Sequence, residues 1–293
     1  MSAVSTPVDA AAVVQAPKKP HRMRTITRRG FSLSVLAYAV ALIFLLPYLE
    51  MIVAALRPQG QLLAPNLLPT HFSFHNFTSI WATGFGGNLL ESLQIAGGAT
   101  VIVLLVAIPA AYYSARHRFR GRSMFLLLVL ATQMMQPAAM LVGIQREFLS
   151  FNLPPTLSLI LVNAGFNMAF AVWILNAYFS SIPVELEEAA MIDGSSRLGA
   201  LARVTLPLAA PGIVTALIFT FIAAWNEFIV ALTLGLGANH QPLTVAIDSY
   251  IGQYSVDWGH LFAASVIATI PVIILFAVIE GRVVGGLTAG SIK

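Results

Sequence analysis

This chain has no cysteine among its 293 residues. That excludes a disulfide framework, thiolate metal sites and a cysteine nucleophile. Charge is scarce too: Asp, Glu, Lys and Arg make up 10% of the residues, where a soluble domain carries about 25%. Lysine occurs only at positions 18, 19 and 293, none of them in a G-x-x-x-x-G-K-[ST] phosphate loop. The chain by itself therefore has no P-loop chemistry with which to hydrolyse ATP. His21, His71, His75, His117, His240 and His260 form no H-E-x-x-H pair, and no G-x-S-x-G occurs. His71 and His75 stand four apart, but in a Pro-rich loop, which argues against a metal site.

What the chain does have is apolar side chains: 58% of its residues, with a mean hydropathy of +0.82. They fall in six blocks at about 31–56, 88–114, 124–144, 157–179, 209–234 and 260–281. Each approaches or exceeds the roughly 20 residues with which a helix crosses a bilayer. The expected fold is all-α: a polytopic membrane protein with six transmembrane helices over 31–293, behind a basic tail at 1–30. The start of that tail, MSAVSTPVDAAAVVQAP, has no periodicity and reads as disordered. The first apolar block is too long for a signal-peptide core and no cleavage site follows it, so an uncleaved first span is expected. Pro47, Pro137 and Pro271 fall inside spans, where a kink frees backbone carbonyls that neighbours must satisfy.

Of the sixteen basic residues, Lys18, Lys19, Arg22, Arg24, Arg28 and Arg29 precede the first span. Arg116, Arg118, Arg120 and Arg122 lie between the second and third, and Arg197 and Arg203 between the fourth and fifth. Arg282 and Lys293 follow the sixth. Only Arg57 and Arg146 fall in the alternate loops, so the asymmetry is fourteen to two. By the positive-inside rule both termini of this multi-pass protein are expected to be cytosolic. The basic runs are then topology determinants, and no nucleic-acid partner is expected. Loops 57–87, 145–156 and 235–259 are external, while 115–123 and 180–208 are internal.

The scarce charge is concentrated in one of those internal loops. Residues 185–196 read ELEEAAMIDGSS, and Glu185, Glu187, Glu188 and Asp193 account for a third of the twelve acids. Ser181 can cap a helix and Pro183 suits its first turn. The three glutamates then complement the positive end of the helix dipole. Leu186, Ala189 and Ala190 share a face, and Gly194 closes a helix of about three turns. Ser195 or Ser196 caps a second helix, Arg197–Val204, expected to end before Leu206-Pro207. The product is a helix–turn–helix across the membrane face. Helices that rest on lipid favour Lys and Arg over acids, so a docking surface for a cytosolic protein fits better.

At this point the residues resemble a family. Glu188-Ala189-Ala190, then Gly194, then Val204-x-Leu206-Pro207 resembles the EAA loop of ABC-importer permeases, with the family spacing. Trp225-Asn226-Glu227-Phe228 is similar to the WNEF segment of sugar permeases. Pro242-Leu243-Thr244-Val245, Asp257-Trp258-Gly259 and the terminal Gly286-Leu287-Thr288-Ala289-Gly290 are similar to the second permease of maltose-type importers. The likeness spans roughly residues 30–293. It departs at Leu201, where the family often has an aromatic residue.

The resemblance implies the type I permease fold and four kinds of partner. These are a homologous second permease in a heterodimer, a dimer of cytosolic ABC ATPases, an extracytoplasmic substrate-binding protein, and membrane lipid. It implies no cofactor on this chain, ATP and Mg being used by the partner ATPase. It also implies that Glu187, Glu188, Ala189, Ala190, Asp193, Gly194, Leu206 and Pro207 form the ATPase-coupling loop, with Gly194 as its turn. The tail Gly286, Leu287, Thr288, Ala289 and Gly290 would lie at the ATPase interface, although its composition also suits a frayed end.

Cargo residues are less determined. Gln133, Gln136, Asn163 and Asn167, with Trp225, Asn226 and Glu227, are candidates for a translocation pathway suited to hydroxyl-rich solutes. Interhelical hydrogen bonds account for such groups equally well. Glu50, Glu91, Glu227 and Glu280 lie in or at the edges of spans, where ionisable groups are costly. Asn239, Gln241 and Gln253 are the candidates for contacting the binding protein. The expected function is a non-enzymatic subunit that carries a sugar or sugar derivative across the membrane. Three alternatives stay open: a proton-coupled transporter using an intramembrane Glu, an ABC permease for a solute such as a glycerophosphodiester, and a non-transporting scaffold.

Overall fold

The structure, a computed structural model, describes residues 28–58, 61, 69, 71–117, 119–135, 137–235 and 240–289. Of the tail expected over 1–30, residues 1–27 lie outside the described residues, as do Gln136, Asn239 and Gly290, while Arg28–Gly30 already belong to α1. In chain order the helices are α1 (Arg28–Ala55), α2 (His75–Ser79), α3 (Phe85–Arg116), α4 (Arg122–Thr132), α5 (Pro137–Ser150) and α6 (Pro155–Ser181). They continue with α7 (Glu185–Ile192), α8 (Arg197–Ala200), α9 (Leu206–Leu208), α10 (Ala210–Trp225), α11 (Ile229–Leu234), α12 (Leu243–Asp248) and α13 (Trp258–Ala289). Among the described residues, the one β-type pairing is an isolated bridge between Ile251 and Val256.

The chain divides into two units, the first ending at Tyr48. In that first unit α1 is apolar on every face and exposed from Leu33 onward. A helix apolar all round needs an apolar medium, and hydrocarbon supplies one.

The second unit is built on α3 and α6, which pack along their lengths, with α10 against both and α13 against α10. The α3 seam is made of small residues: Ala96, Ala99, Val103, Ala107 and Ala111 are buried at helical spacing. Small side chains let backbones approach closely, which matters where lipid removes the hydrophobic drive between helices. Polar groups add specific ties. The Asn176 amide on α6 donates to Ser114 Oγ on α3 at 2.7 Å, and the Trp225 indole on α10 donates to the Ala268 carbonyl on α13 at 3.2 Å.

Among the described residues four helices, α1, α3, α6 and α13, are each long and apolar enough to cross a bilayer. Two of the six expected spans are not continuous. The 124–144 block is interrupted between α4 and α5, because Pro137 has no N–H and its ring excludes the preceding helical turn. Pro137 therefore begins a helix instead of kinking one, while Pro109, inside α3, is an internal proline the sequence reading passed over. The 209–234 block is interrupted at Asn226–Phe228, between α10 and α11.

Glu227 closes that second gap. Its two carboxylate oxygens accept the N–H groups of Val230 and Ala231, both at 2.9 Å. These are the unpaired donors of the first turn of α11, and in an apolar medium no water is at hand to satisfy them. Thr244 donates to the Glu227 carbonyl at 2.9 Å, tying the break to α12. Glu227→Ala is expected to cost about 1–3 kcal/mol through the orphaned amides. The check is the thermal midpoint of the purified protein, which should fall further than for Glu227→Gln, where one acceptor survives.

Candidate functional site

The acidic segment forms a compact elbow at the end of the bundle that carries Arg116 and Arg197. Helix α6 stops at Ser181, whose hydroxyl donates back to the Tyr178 carbonyl at 2.8 Å. Ser181 thus finishes α6 and does not cap α7, and Pro183 lies ahead of the first turn of α7. No side chain caps α7; Glu185, Glu187 and Glu188 in its first turn face the positive end of its dipole instead.

Helix α7 is eight residues long, shorter than expected, and it ends in a Schellman turn. The Ser195 N–H bonds the Ala190 carbonyl at 3.0 Å, and the Gly194 N–H bonds the Met191 carbonyl at 3.1 Å. Gly194 has φ +90°, the left-handed region in which glycine carries no Cβ penalty. Ser196 then caps α8, accepting the Gly199 N–H at 3.1 Å.

The second helix does not stop before Leu206-Pro207, as the proline had suggested. It widens into a π turn at Leu201–Thr205 and runs on through α9 to Leu208. Pro207 would collide with the carbonyl four residues back in a regular α-helix, and the wider turn makes room for it. From there the chain bends by 72° into α10. The elbow is thus covalently continuous with the fifth span.

Glu187 ties these elements together. It is only 6% exposed, so it does not share the open face of its neighbours in ELEEAAMIDGSS. Tyr112 Oη donates to its Oε2 at 2.8 Å, while Arg116 Nε at 2.8 Å and Thr205 Oγ1 at 2.7 Å donate to its Oε1. Arg116 also donates to the Ile182 carbonyl at 2.8 Å, pinning the link between α6 and α7. One carboxylate therefore joins α3, α7 and the π turn. Burial alone would raise its pKa, but the hydrogen bonds from Thr205, Tyr112 and Arg116 and the charge of Arg116 outweigh that and hold it below the ordinary 4.5.

The outward side of α7 carries Glu185, Leu186, Glu188, Ala189, Ile192 and Asp193, all exposed, with Ala190 half-buried. Ile192 is 86% exposed and Leu198, across the turn, 77%. Large apolar side chains held open beside carboxylates make a surface suited to a protein partner. Leu206 is half-buried and Pro207 exposed. Sequence reasoning missed the partners Tyr112, Arg116 and Thr205. Arg116 had counted only as a topology residue, and no local pattern links it to a carboxylate seventy-one positions away.

The expected pathway residues do not converge. Asn163 is buried and Asn167 half-buried, and both amides bond carbonyls of their own helix. Trp225 is buried between α10 and α13. Gln133 is exposed and donates to the Phe166 carbonyl at 2.9 Å, fixing the α4–α5 break against α6, and Asn226 is exposed at the second break. A cavity of about 690 Å³ between α4, α5 and α6 is lined by Met135, Met140, Ile144, Phe148 and Phe166, and by none of the described candidates. The terminal Gly286, Leu287, Thr288 and Ala289 continue α13 as helix.

At the opposite end of the bundle Gln241 donates to the Gly235 carbonyl at 3.3 Å, and Gln253 is exposed in a turn bridged by Ile251 and Val256. Just beyond it, Asp257 bonds the His260 ring through Nδ1, and His260 Nε2 lies 2.8 Å from Ser79 Oγ. The order of groups is that of a hydrolase triad, but the function is structural. Ser79 lies in a helix and its hydroxyl is within 2.7 Å of the His75 carbonyl, so no nucleophile is presented. The relay ties α2 to the start of α13. Burial acts to raise the Asp257 pKa, and its hydrogen bonds to His260 pull it below the ordinary value.

Known proteins resemble the chain in sequence and in fold. The profile of the family described as "Binding-protein-dependent transport system inner membrane component" matches residues 105–285. The diacetylchitobiose uptake system permease protein DasC of Streptomyces coelicolor is 33% identical over 262 residues, 87% of this chain and 93% of that one. The trehalose transport system permease protein SugB of Mycobacterium tuberculosis is 34% identical over 272 residues, 91% of this chain and 98% of that one. A chain of a bacterial ABC transporter involved in importing the acidic polysaccharide alginate superposes with a TM-score of 0.74. At 23% identity, covering 90% of this chain and 99% of that one, it shares the fold.

Proposed function

The chain belongs to the family of binding-protein-dependent transport system inner membrane components, and from that premise we propose that it is a sugar-carrying permease subunit of an ATP-binding-cassette importer. Its partners are a homologous second permease, a dimer of cytosolic ATPases and an extracytoplasmic binding protein. ATP and Mg are handled by the ATPases. The chain itself supplies a path and a lever. Both termini and the α7–α9 elbow lie on the cytosolic side of the inner membrane, in keeping with the basic residues gathered there.

The observation that carries this reading is the Glu187 clamp. An elbow with an exposed acidic and apolar face is bonded to α3 through Tyr112 and Arg116 and to the start of the fifth span through Thr205. A push on Glu188, Ala189 and Asp193 is then transmitted to the bundle and not absorbed by a loose loop. The sugar class is supported by the relatives, whose names specify diacetylchitobiose and trehalose. Gln253, exposed in its turn beside Tyr254, is offered to the binding protein. Against a proton carrier, the Glu227 carboxylate is occupied by helix amides and the Glu91 carboxylate by the Thr156 hydroxyl.

The test is uptake of radiolabelled trehalose and diacetylchitobiose by cells with and without the gene. The expected uptake requires the binding protein and ATP, is blocked by vanadate and survives an uncoupler. Uptake that collapses with the uncoupler and ignores vanadate would overturn the reading.

A further inference from the structure

Among the described residues, several cavities stand apart from the clamp, and three of them bear comparison. Two are walled mainly by apolar side chains, with Thr132 in both and Glu147 at the first, and suit lipid or a protein neighbour. The third is of a different kind. It has about 310 Å³ of space at the start of α3, between the Thr83–Gly84 turn and the outward side of α12, at the end of the bundle opposite the elbow.

Its polar groups are many. Among the described residues no acid, lysine or arginine lines it. The Asn88 side-chain amide and the His240 ring both line the cavity and make no hydrogen bond to another described residue. Gln241 spends its amide nitrogen on the Gly235 carbonyl, leaving the side-chain oxygen, and Ser249 donates to Ala246, leaving its lone pairs. Tyr250 is held from behind: its hydroxyl is 3.1 Å from Thr83 Oγ1 and its ring stacks on His260 at 5.6 Å. His260 is in turn oriented by Asp257 and Ser79. The relay that looked idle thus fixes an aromatic wall.

The approach of His240 is built in as well. It lies so close over the first turn of α3 that a Cβ on Gly87 would overlap its ring. A concave site with one fixed aromatic surface and a few convergent neutral donors and acceptors is the chemistry of a small hydroxylated ligand.

We propose that this cavity is a carbohydrate subsite of the permease itself, holding one neutral pyranose ring at the outer mouth with Tyr250 as its platform and Asn88, His240 and Gln241 as its hydroxyl contacts. The proposal rests on the sugar-importer reading and extends it, because it puts a selectivity step on this subunit. A uronate or a sulfonated sugar meets no lysine or arginine among the described lining residues and is not held there.

The test uses the purified importer in nanodiscs, without its binding protein. Saturation-transfer NMR is recorded with glucose, trehalose, N,N′-diacetylchitobiose and, as the acidic control, galacturonate. At least one neutral sugar should show ring-proton transfer and galacturonate none. Asn88→Ala, His240→Ala and Gly87→Ala should each weaken binding by about five- to tenfold, the loss expected for one or two neutral hydrogen bonds. Asn88 and His240 are not in the packed core, and gel filtration of each complex reports assembly. If the wild-type complex binds none of the neutral sugars, or if binding is indifferent to Asn88→Ala and His240→Ala, the subsite is wrong. Either result leaves the importer reading standing so long as binding-protein-dependent sugar uptake persists in cells. Loss of that reading would show instead as sugar uptake unchanged when the gene is deleted.

Discussion

Replacing Glu187 with alanine should leave a permease that inserts and assembles but no longer converts ATP hydrolysis into uptake. The substitution strands Arg116 in a buried site, with side-chain exposure of 9%, after its carboxylate is gone. Breaking a buried pair from one side costs about 3–5 kcal/mol, which corresponds to a loosening of the clamp by roughly two to nearly four orders of magnitude. Uptake should fall on the order of 100-fold while ATPase activity persists. Glu188→Ala, one residue along, removes an exposed carboxylate and should weaken association with the ATPase without loosening the elbow.

Hydrogen exchange on the isolated permease separates the two. Amides of residues 185–205 should lose protection in Glu187→Ala and keep it in Glu188→Ala. A double variant, Glu187→Leu with Arg116→Met, should recover part of the protection, since replacing both charges leaves neither unpaired. The pH dependence has a fixed sign. The folded Glu187 pKa is depressed, so the clamp contributes fully above the ordinary 4.5 and is lost only as pH falls through the lower folded value. Protection should therefore be flat from neutral pH down to about 5. Equal protection in Glu187→Ala and wild type would remove the clamp from the mechanism.

Gly194→Val should have an effect as large, by a different route. At φ +90° a side chain costs about 1–2 kcal/mol in the left-handed region, and a β-branched one costs more. No atom beyond Gly194 and its two chain neighbours lies within 4 Å of where a Cβ would sit, so the strain comes from the local backbone and not from a clash with a packed neighbour. Relief requires opening the Schellman turn, which swings Leu198 away from Ile192 and destroys the outward surface. ATPase should then fail to copurify with the variant. Gly194→Asn, which tolerates this conformation, should copurify nearly as well as wild type. A valine variant that copurifies as well as the asparagine one would refute the turn's role.

The two substitutions probe opposite kinds of information. Gly194 was legible because its requirement is local: an acidic first turn, an apolar-small stretch and a glycine stop can be read along a dozen residues. The long apolar blocks behind α3, α6 and α13 were legible for a similar reason, since crossing hydrocarbon demands a continuous apolar helix. Where local chemistry competes, the reading was less complete. Pro137 looked like a kink and proved to be a helix start, because a ring without an N–H suits a first turn better than a middle one. Glu227 read as an ionisable group open to several roles and proved to be a cap for α11, a use visible only once the chain has broken there.

By itself the sequence determined that this is a helical membrane protein, and that its scarce acids gather in one helix–turn–helix between the fourth and fifth apolar blocks. Those conclusions follow from composition, periodicity and turn chemistry, which act over a few residues. Only the tertiary structure decided which carboxylate of the elbow faces outward and which is bonded within. Glu187 and Glu188 are chemically identical neighbours, but a helix turns by about 100° between adjacent residues. The packing of α3 against the elbow makes Glu187 the buried partner of Tyr112, Arg116 and Thr205 and leaves Glu188 exposed.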